Sequence, residues 1–508
     1  DVSISDISGD SLFDLVLQSA YFKSNPDGSF ADASSDLKTT AGNGDILRVC
    51  DIDGNSSLDR LIGHKKEIWI EFNDGTGHFS AEPAISLPQD VNDLVVSNLP
   101  GYYGPCILAL TDKGISILQM ENNLLTVKRE IQIENKGTAI RTADLNGDFI
   151  TDIAVATTKG IVLYLYSVEN QDFAKETILE AGNVSSFEIA DFNGDGFVDL
   201  AIAPQGEGIP FIFLFKPNPD PPLPIIPVSH IWSAVYPDLK DKIPGIRKII
   251  AVDLDGKGLP GMLVISEAVD KSVYLTNDGA GNLILTNFYL EGNVLGAAVG
   301  DIDHNGLLDI IAVKGNVIDI YESQYVKERG ETEEQDQPPS KIKGMQAFIN
   351  NGKLNLQWIG ADDDLTPSSS LTYEVAIGTE YGLWNILPGE IGPAQTTLRQ
   401  GNILNSTKVV VDLPLGIEEV HYGVQAVDSE LKRGEWVFGS LSIVAEKSDE
   451  EKIREAKGQN KEKEQRTEKI EGVCEEEMNL TKILEKQGYV TTTWAGGVVS
   501  YIPGEPKG

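Results

Sequence analysis

Residues 191–200 place oxygen-bearing side chains at the first, third, fifth and ninth positions of a short glycine-containing segment. A cage of carboxylate, amide and carbonyl oxygens is the ligand set that Ca²⁺ prefers in proteins. An EF-hand loop would carry a glutamate at its twelfth position and continue into a helix, whereas Ile202 stands there in a strand-like run. The segment therefore predicts a calcium loop between two strands. Its ligands would be Asp191, Asn193, Asp195, the carbonyl of Phe197, and Asp199.

The same spacing occurs four more times, which predicts about five structural Ca²⁺ sites. A further copy begins at Asp253, but Lys257 occupies its fifth position, and we expect the ammonium group to replace the ion there. Another unit, near residue 97, has a loop without any carboxylate. The four additional sets are Asp6, Ser8, Asp10, Leu12 and Asp14; Asp51, Asp53, Asn55, Ser57 and Asp59; Asp144, Asn146, Asp148, Ile150 and Asp152; and Asp301, Asp303, Asn305, Leu307 and Asp309, each fourth-named residue acting through its carbonyl.

The loops recur about every 46 residues, with one longer interval, and a fixed period of this size is typical of repeat architectures. Each unit reads as strand, loop, strand, strand, glycine-rich turn and strand. Four short strands per unit make the blade of a β-propeller. We therefore predict an all-β chain with a seven-bladed β-propeller over residues 1–325. Its seventh unit has three clear strands and would borrow a fourth from elsewhere in the chain or from another molecule.

The loops and their period resemble the FG-GAP and VCBS repeats, which form the propeller of integrin α-subunits and of many secreted microbial proteins. The stretch Asp191–Pro204, which ends Asp-Leu-Ala-Ile-Ala-Pro, is close to the consensus of that family. The resemblance covers roughly residues 1–325 and implies an extracellular, calcium-stabilised propeller.

The remainder of the chain divides into four segments. Residues 326–340 read as a linker, and residues 341–445 contain alternating short strands that predict a β-sandwich resembling a fibronectin type III domain. The acidic run Asp362–Asp364 in that segment forms either a turn or an ion site. Residues 446–488 are a charged linker, helical or disordered, and residues 489–508 predict a C-terminal β-hairpin.

Two segments carry aromatic residues that are candidates for partner binding. Residues 216–245 contain eight prolines and cannot be an interior strand, so they are expected to form a long loop. The terminal hairpin is too small to be stable alone and needs a sheet to join, in its own chain or in another copy. The alternatives are that the loop packs on its own propeller and that the hairpin docks within its own chain. The candidate residues are His230, Trp232, Tyr236, Tyr489, Trp494 and Tyr501.

The formal net charge of −37 argues against a nucleic-acid partner, because phosphates would be repelled. Five bound Ca²⁺ ions would offset about ten of those charges. Cys50, Cys106 and Cys474 are too few for a disulfide scaffold, and no apolar stretch is long enough to span a membrane. Calcium loops suit the millimolar calcium found outside cells, so we expect a secreted or cell-surface protein.

The sequence favours a non-catalytic surface protein for adhesion or assembly that binds a protein or polysaccharide, or other copies of itself. It contains no nucleophile elbow, metalloprotease motif or phosphate-binding loop. The alternative is a polysaccharide-active lyase or hydrolase built on the same propeller. A cleft of arginine, lysine and carboxylate side chains would favour that alternative.

Overall fold

The structure is a computed structural model of the 508-residue chain. It describes residues 2–38, 46–81, 85–122, 124–216, 231–235, 243–279, 282–303, 305–323, 336–390, 399–443, 490–494 and 497–501. These residues are almost entirely β-structure, which confirms the all-β prediction, and the helix present among them is one 3₁₀ turn at Ser34–Asp36.

The described parts of residues 2–323 form seven main antiparallel sheets that follow one another along the chain. We refer to them as sheets 1–7 of the repeat region. Strand runs such as Ile153–Ala156 are buried on both faces, because neighbouring sheets cover them from either side. The strands of the first four sheets are, for sheet 1, β1 (Val2–Ser5), β2 (Asp14–Leu17), β3 (Tyr21–Ser24) and β4 (Phe30–Asp32); for sheet 2, β5 (Ile46–Cys50), β6 (Asp59–His64), β7 (Glu67–Asn73), β8 (Phe79–Ala81) and β9 (Ile85–Ser86); for sheet 3, β10 (Val91–Ser97), β11 (Cys106–Thr111), β12 (Gly114–Glu121) and β13 (Leu124–Gln132); and for sheet 4, β14 (Gly137–Ala143), β15 (Asp152–Thr157), β16 (Gly160–Ser167) and β17 (Asp172–Glu180).

The last three sheets continue the pattern, and the described part of sheet 7 has three strands, as the sequence predicts. A two-stranded ribbon accompanies sheet 5. The strands are β18 (Val184–Ala190), β19 (Asp199–Pro204), β21 (Phe211–Lys216) and β22 (Ile231–Val235) in sheet 5; β20 (Glu207–Gly208) and β23 (Ile243–Pro244) in the ribbon; β24 (Ile246–Val252), β25 (Gly261–Ser266), β26 (Ser272–Asn277) and β27 (Leu283–Leu290) in sheet 6; and β28 (Gly296–Gly300), β29 (Asp309–Lys314) and β30 (Val317–Tyr321) in sheet 7.

Hydrophobic clusters join the sheets in chain order. Leu61 of sheet 2 packs in one cluster with Leu94 of sheet 3, and equivalent clusters join each later sheet to the next. Val2 and Ile4 of sheet 1 share a cluster with Ile311 of sheet 7. The first and last sheets are therefore packed together, and burial of these apolar side chains is the main stabilising term for the arrangement.

Each predicted calcium loop connects the first and second strands of a sheet. In sheet 4, for example, Ala143 pairs with Asp152, so the loop begins directly after one strand and ends on the first residue of the next. The same register places the ninth loop residue opposite the last residue of the preceding strand in sheets 1, 2, 5 and 7. We call the five loops that begin at residues 6, 51, 144, 191 and 301 the acidic loops.

One prediction about the proline-rich stretch is wrong. Residues 231–235 form β22, the outer strand of sheet 5, and Phe215 pairs with Trp232. The strand lies beyond the prolines at positions 217–227, and an edge position tolerates nearby residues that break hydrogen-bond ladders. Trp232 is therefore on a strand rather than in a loop.

Residues 343–442 contain two three-stranded sheets with a shared apolar core. Trp358 and Tyr373 pack edge to face in that core, with ring centroids 5.4 Å apart. We call residues 336–443 the sandwich region. One sheet contains β31 (Lys343–Asn350), β32 (Lys353–Ile359) and β34 (Lys408–Asp412), and the other contains β33 (Thr372–Gly378), β35 (Glu419–Val427) and β36 (Val437–Ser442).

The repeat region and the sandwich region belong to one compact unit, Asp1–Ile443, and Val444–Gly508 form a second unit. In the second unit, β37 (Val490–Trp494) pairs antiparallel with β38 (Gly497–Tyr501), and Val490 stands opposite Tyr501. The charged segment 446–488 lies outside the described residues.

Candidate metal centres

The first aspartate of each acidic loop folds the loop around its own carboxylate. Asp191 Oδ1 accepts the N–H groups of Gly194 (2.8 Å) and Asp195 (3.2 Å), and Oδ2 accepts that of Gly196 (2.9 Å). The turn requires a left-handed residue at the fourth position, where Gly194 has φ = 77°. Equivalent bonds form around Asp6, Asp51, Asp144 and Asp301.

The ninth aspartate ties the loop to the third strand of its sheet. Asp59 Oδ2 accepts the N–H of Ile52 in the loop (2.8 Å), and its Oδ1 accepts the N–H of Asn73 on β7 (2.9 Å). Asp14 and Asp152 make the same two kinds of bond, and Asp309 accepts the N–H groups of Ile302 in its loop and of Ser323 just after β30. Asp199 accepts the N–H of Phe192 (2.9 Å). All five side chains are fully buried, so each carboxylate is held in place before any ion is considered.

The side chains at the third and fifth loop positions accept hydrogen bonds from backbone N–H groups of the same loop. Asn193 Oδ1 accepts the N–H of Asp195 (3.1 Å), and Asp195 Oδ1 accepts the N–H of Phe197 (3.0 Å). In all five loops, the backbone N–H at the seventh loop position donates to the side chain at the fifth position. The other donors are Leu12, Ser57, Ile150 and Leu307. A carbonyl ligand at the seventh position stays a prediction.

Carboxylates converge in the two acidic loops that have aspartate at the first, third and ninth positions. One oxygen each of Asp51, Asp53 and Asp59 lie within 4.8 Å of one another, and so do oxygens of Asp301, Asp303 and Asp309. The other three loops carry Ser8, Asn146 or Asn193 at the third position, which offers an uncharged oxygen instead. The donor set is made of oxygen ligands throughout, and it fits a calcium ion.

Burial disfavours the charged form of several carboxylates in the acidic loops. Burial raises the pKa of Asp51 to about 7 and that of Asp144 to about 7, despite the backbone N–H groups that favour the charged form. Burial also raises the pKa of Asp59 and of Asp152 well above the usual range. A bound cation would favour the ionised carboxylates, so the loops have the electrostatics of cation sites.

The sixth loop folds in the same way but supplies its own cation. Asp253 accepts the N–H groups of Lys257 (3.2 Å) and Gly258 (2.6 Å). The Lys257 ammonium lies 2.7 Å from Asp255 Oδ2, and these two groups neutralise each other. Lysine thus pairs with a loop carboxylate, in agreement with the expectation from its position.

The sandwich region is seated on the face that carries these loops. Ser370 Oγ donates to Asp191 Oδ2 (2.8 Å), and Ser429 Oγ donates to Asp253 Oδ2 (3.0 Å). The N–H of Trp384 donates to the carbonyl of Gly54 (2.7 Å). A Cβ added at Gly258 would lie 2.1 Å from the carbonyl oxygen of Leu365. The backbones of the two regions are therefore in close contact at this point. Sequence patterns within either region do not predict this contact.

A cavity of about 540 Å³ lies between the first strands of the seven sheets and the sandwich region. The charged side chains that line this cavity were not identified from the sequence. Arg141 contacts Asp93 (3.0 Å) and Glu188 (2.7 Å), and Arg48 also pairs with Asp93. Arg48, Arg141 and Glu188 each stand three residues before the first aspartate of an acidic loop, so aligning the repeats by their loops could have found them. Burial and the nearby Arg48 lower the pKa of Lys248, on β24, to about 8.

The candidate partner-binding residues lie in segments for which the structure gives the backbone alone or no description. His230, Tyr236 and Tyr489 lie outside the described residues. Trp232, Trp494 and Tyr501 lie on β22, β37 and β38, where the structure describes only the backbone. Their role in binding stays a prediction.

Residues 144–202, which contain two acidic loops and the sheet between them, match the model of the FG-GAP-like repeat family. The resemblance is therefore confirmed for this part of the chain, and repeats of this family are typical of extracellular proteins. No curated protein matches the chain. No helix within the described ranges has the length and apolar character to cross a bilayer.

Several solved structures are similar to the chain at low sequence identity. One is an Agrocybe aegerita lectin that recognises non-reducing terminal N-acetylglucosamine (18% identity, TM-score 0.39, 58% of this chain and 80% of that chain). A second comes from a complex of BBS1N with ARL6DN (12% identity, TM-score 0.43, covering 63% of this chain and 90% of that chain). A third is a Bacteroides uniformis protein named as a candidate 6-phosphogluconolactonase (12% identity, TM-score 0.39, covering 57% of this chain and 81% of that chain).

Proposed function

We propose that the chain is a non-catalytic, extracellular binding and assembly protein whose repeat region is a seven-bladed propeller stabilised by about five Ca²⁺ ions. The observation that carries this proposal is the repeated loop geometry. All five loops place a fully buried aspartate at the ninth position, and two of them bring three carboxylate oxygens within 4.8 Å of one another. Each ion would fix the connection between two strands of one blade, so calcium is structural in this account.

The outer edge of sheet 7 supports a role in assembly. Among the described residues β30 has no strand beyond it, and an uncovered edge strand can pair with another chain. Val317 and Ile320 of β30 are exposed, as are Ile284 and Tyr289 of β27. Phe288 of β27 packs edge to face with Tyr321 of β30 at 6.4 Å, which joins the two strands into one apolar surface. We call this surface the β27–β30 edge.

In the proposed assembly, the terminal hairpin of another copy adds to this edge by β-augmentation. Its strands are rich in threonine, valine and aromatic residues, which suit a sheet. The test compares the full chain with a variant lacking residues 489–508, by sedimentation velocity in millimolar calcium. The proposal expects concentration-dependent self-association only in the full chain. Equal sedimentation of the two proteins would refute assembly through the hairpin and leave a cell-surface protein or polysaccharide as the partner.

The second candidate is a polysaccharide lyase, and Lys248 is the observation that favours it. A lysine whose pKa is lowered to about 8 can act as a base, and it lies in a cavity that also contains Arg48 and Arg141. Both arginines are already paired with Asp93, which favours a structural role for the group. Incubation with alginate and pectate would reveal lyase activity through the ultraviolet absorbance of unsaturated uronates. We expect no such product; its formation by the wild type but not by Lys248→Met would favour the lyase.

A further inference from the structure

A second kind of acidic cluster lies in the sandwich region, away from the acidic loops. One carboxylate oxygen each of Asp336, Asp363 and Asp428 lie within 4.8 Å of one another. Asp336 follows the repeat region, Asp363 lies in the connection after β32, and Asp428 lies in the turn after β35. Three segments that are distant in sequence thus contribute one side chain each.

Each of these carboxylates uses one oxygen to hold its own segment. Asp428 Oδ1 accepts the N–H of Lys432 (2.8 Å), and Asp363 Oδ2 accepts that of Thr366 (2.7 Å). Asp336 Oδ2 accepts a bond from the Lys432 ammonium (2.6 Å). These bonds fix the orientation of all three carboxylates and engage only one oxygen of each.

The other oxygen of each carboxylate is buried without a hydrogen-bond donor. The three atoms are Asp336 Oδ1, Asp363 Oδ1 and Asp428 Oδ2. Asp428 is 2% exposed and Asp336 is 7% exposed, so water does not solvate these side chains freely. Buried carboxylate oxygens without a donor are costly, and a metal ion is one of the few partners that satisfies several of them together.

Lys432 does not balance the charge of this group. Its ammonium contacts Asp336 and Glu430, the latter at 2.8 Å. The Asp364 side chain also contacts Asp336, so the five carboxylates of the group share one ammonium. They are those of Asp336, Asp363, Asp364, Asp428 and Glu430.

We infer that Asp336, Asp363 and Asp428 form a divalent-cation site, with Ca²⁺ as the ion, that is separate from the acidic loops. Carboxylate oxygens from three separate connections suit Ca²⁺, which accepts irregular coordination, better than Mg²⁺, which demands near-octahedral geometry. The site does not rest on the proposed function, because none of its residues belongs to a repeat loop.

The ion would fix the connections of the sandwich region that contact the repeat region. The two connections that supply Asp363 and Asp428 are linked by a hydrogen bond between Thr366 and Ser429 (3.0 Å). Ser429 also donates to Asp253 in the sixth loop, where Lys257 pairs with Asp255. The cation would therefore stabilise the part of the sandwich region that contacts the sixth loop.

The test measures calcium bound per full-length chain by equilibrium dialysis against millimolar Ca²⁺, followed by metal analysis. Asp363→Asn and Asp428→Asn are expected to bind one ion fewer than the wild type. The control is Asp362→Asn, an exposed neighbouring carboxylate that pairs with Lys343 (2.6 Å) and should bind the wild-type number. Ions in the acidic loops contribute equally to all four proteins, so their presence or absence does not affect the difference.

Equal calcium content in the wild type and both cluster variants would overturn the inference. Crystals of the wild type grown in Ca²⁺ give a second readout that needs no variant to fold. An anomalous peak among the three carboxylates is expected, and a map without a peak there would also overturn the inference.

Discussion

At the scale of single residues, the aspartates of the acidic loops shape the turns, and in the proposed sites the same carboxylates would bind the ion. The carboxylate of Asp59 holds backbone N–H groups of the loop and of β7, and one of its oxygens converges with oxygens of Asp51 and Asp53. The same side chain therefore shapes the turn and, in the proposed site, would supply charge to a cation. The positions of these loops could be predicted from spacing, because the hydrogen bonds that shape each turn lie within one repeat.

Gly258 tests the contact between the repeat and sandwich regions. Gly258→Ala should lower the free energy of unfolding by more than about 2 kcal/mol, because its Cβ would overlap the carbonyl of Leu365 and its φ is +87°. Gly279→Ala is the control, since Gly279 has φ +84° but open space around it, and should cost about 1 kcal/mol. Urea unfolding measures the loss of unfolding free energy in both variants. Equal losses would mean that the contact contributes nothing to stability.

Lys248 should make stability depend on pH. Its folded-state pKa of about 8 is below the ordinary 10.5, so the folded protein releases this proton before the unfolded chain does. Stability should therefore rise between pH 8 and about 10.5, by about 2 kcal/mol for this partly exposed group. Lys248→Met should lack that rise. The measurement is the difference in unfolding free energy between the two proteins across this range, and a constant difference would contradict the assignment.

At the scale of strands and sheets, periodicity predicted most of the repeat region. The interval of about 46 residues located each loop between two strands, and even the unit without carboxylates forms sheet 3. The position of β22 was not predictable from propensity, because its pairing with β21 is decided by the sheet and not by local sequence. The cluster of Asp336, Asp363 and Asp428 was not predictable either, since 92 residues separate its first and last members. The acidic run Asp362–Asp364 was the one local signal for it.

The β27–β30 edge gives a prediction at this scale. Val317→Lys should weaken self-association at least tenfold, because a charged side chain on an edge strand discourages pairing with another chain. Val317 is 57% exposed, so stability should change by less than about 0.5 kcal/mol. Val168→Lys, at 55% exposure in a turn of sheet 4, is the matched control and should associate like the wild type. Sedimentation equilibrium measures the self-association constants of the wild type and the two variants. If Val317→Lys associates as strongly as the wild type, the β27–β30 edge is not the association surface.

At the scale of the whole molecule, the sandwich region and the acidic loops depend on each other. Serine, tryptophan and glycine residues of the two regions meet at the loops that begin at residues 51, 191 and 253. The sequence predicted the two regions separately, but it did not predict that one covers the loops of the other, because the residues that meet there are far apart in sequence. Ordering the loops should therefore order the interface as well.

Thermal unfolding of the full chain in millimolar Ca²⁺ and in EDTA tests the central claim, that the acidic loops are calcium sites, most directly. A site at 100 times its dissociation constant contributes about 2.7 kcal/mol, and several sites should raise Tm by roughly 10 °C or more. Mg²⁺ at the same concentration should give a much smaller rise, because the loops offer carboxylates in irregular geometry. An unchanged Tm on moving from Ca²⁺ to EDTA would contradict the account, and the aspartates would then be hydrogen-bonding groups of the turns alone.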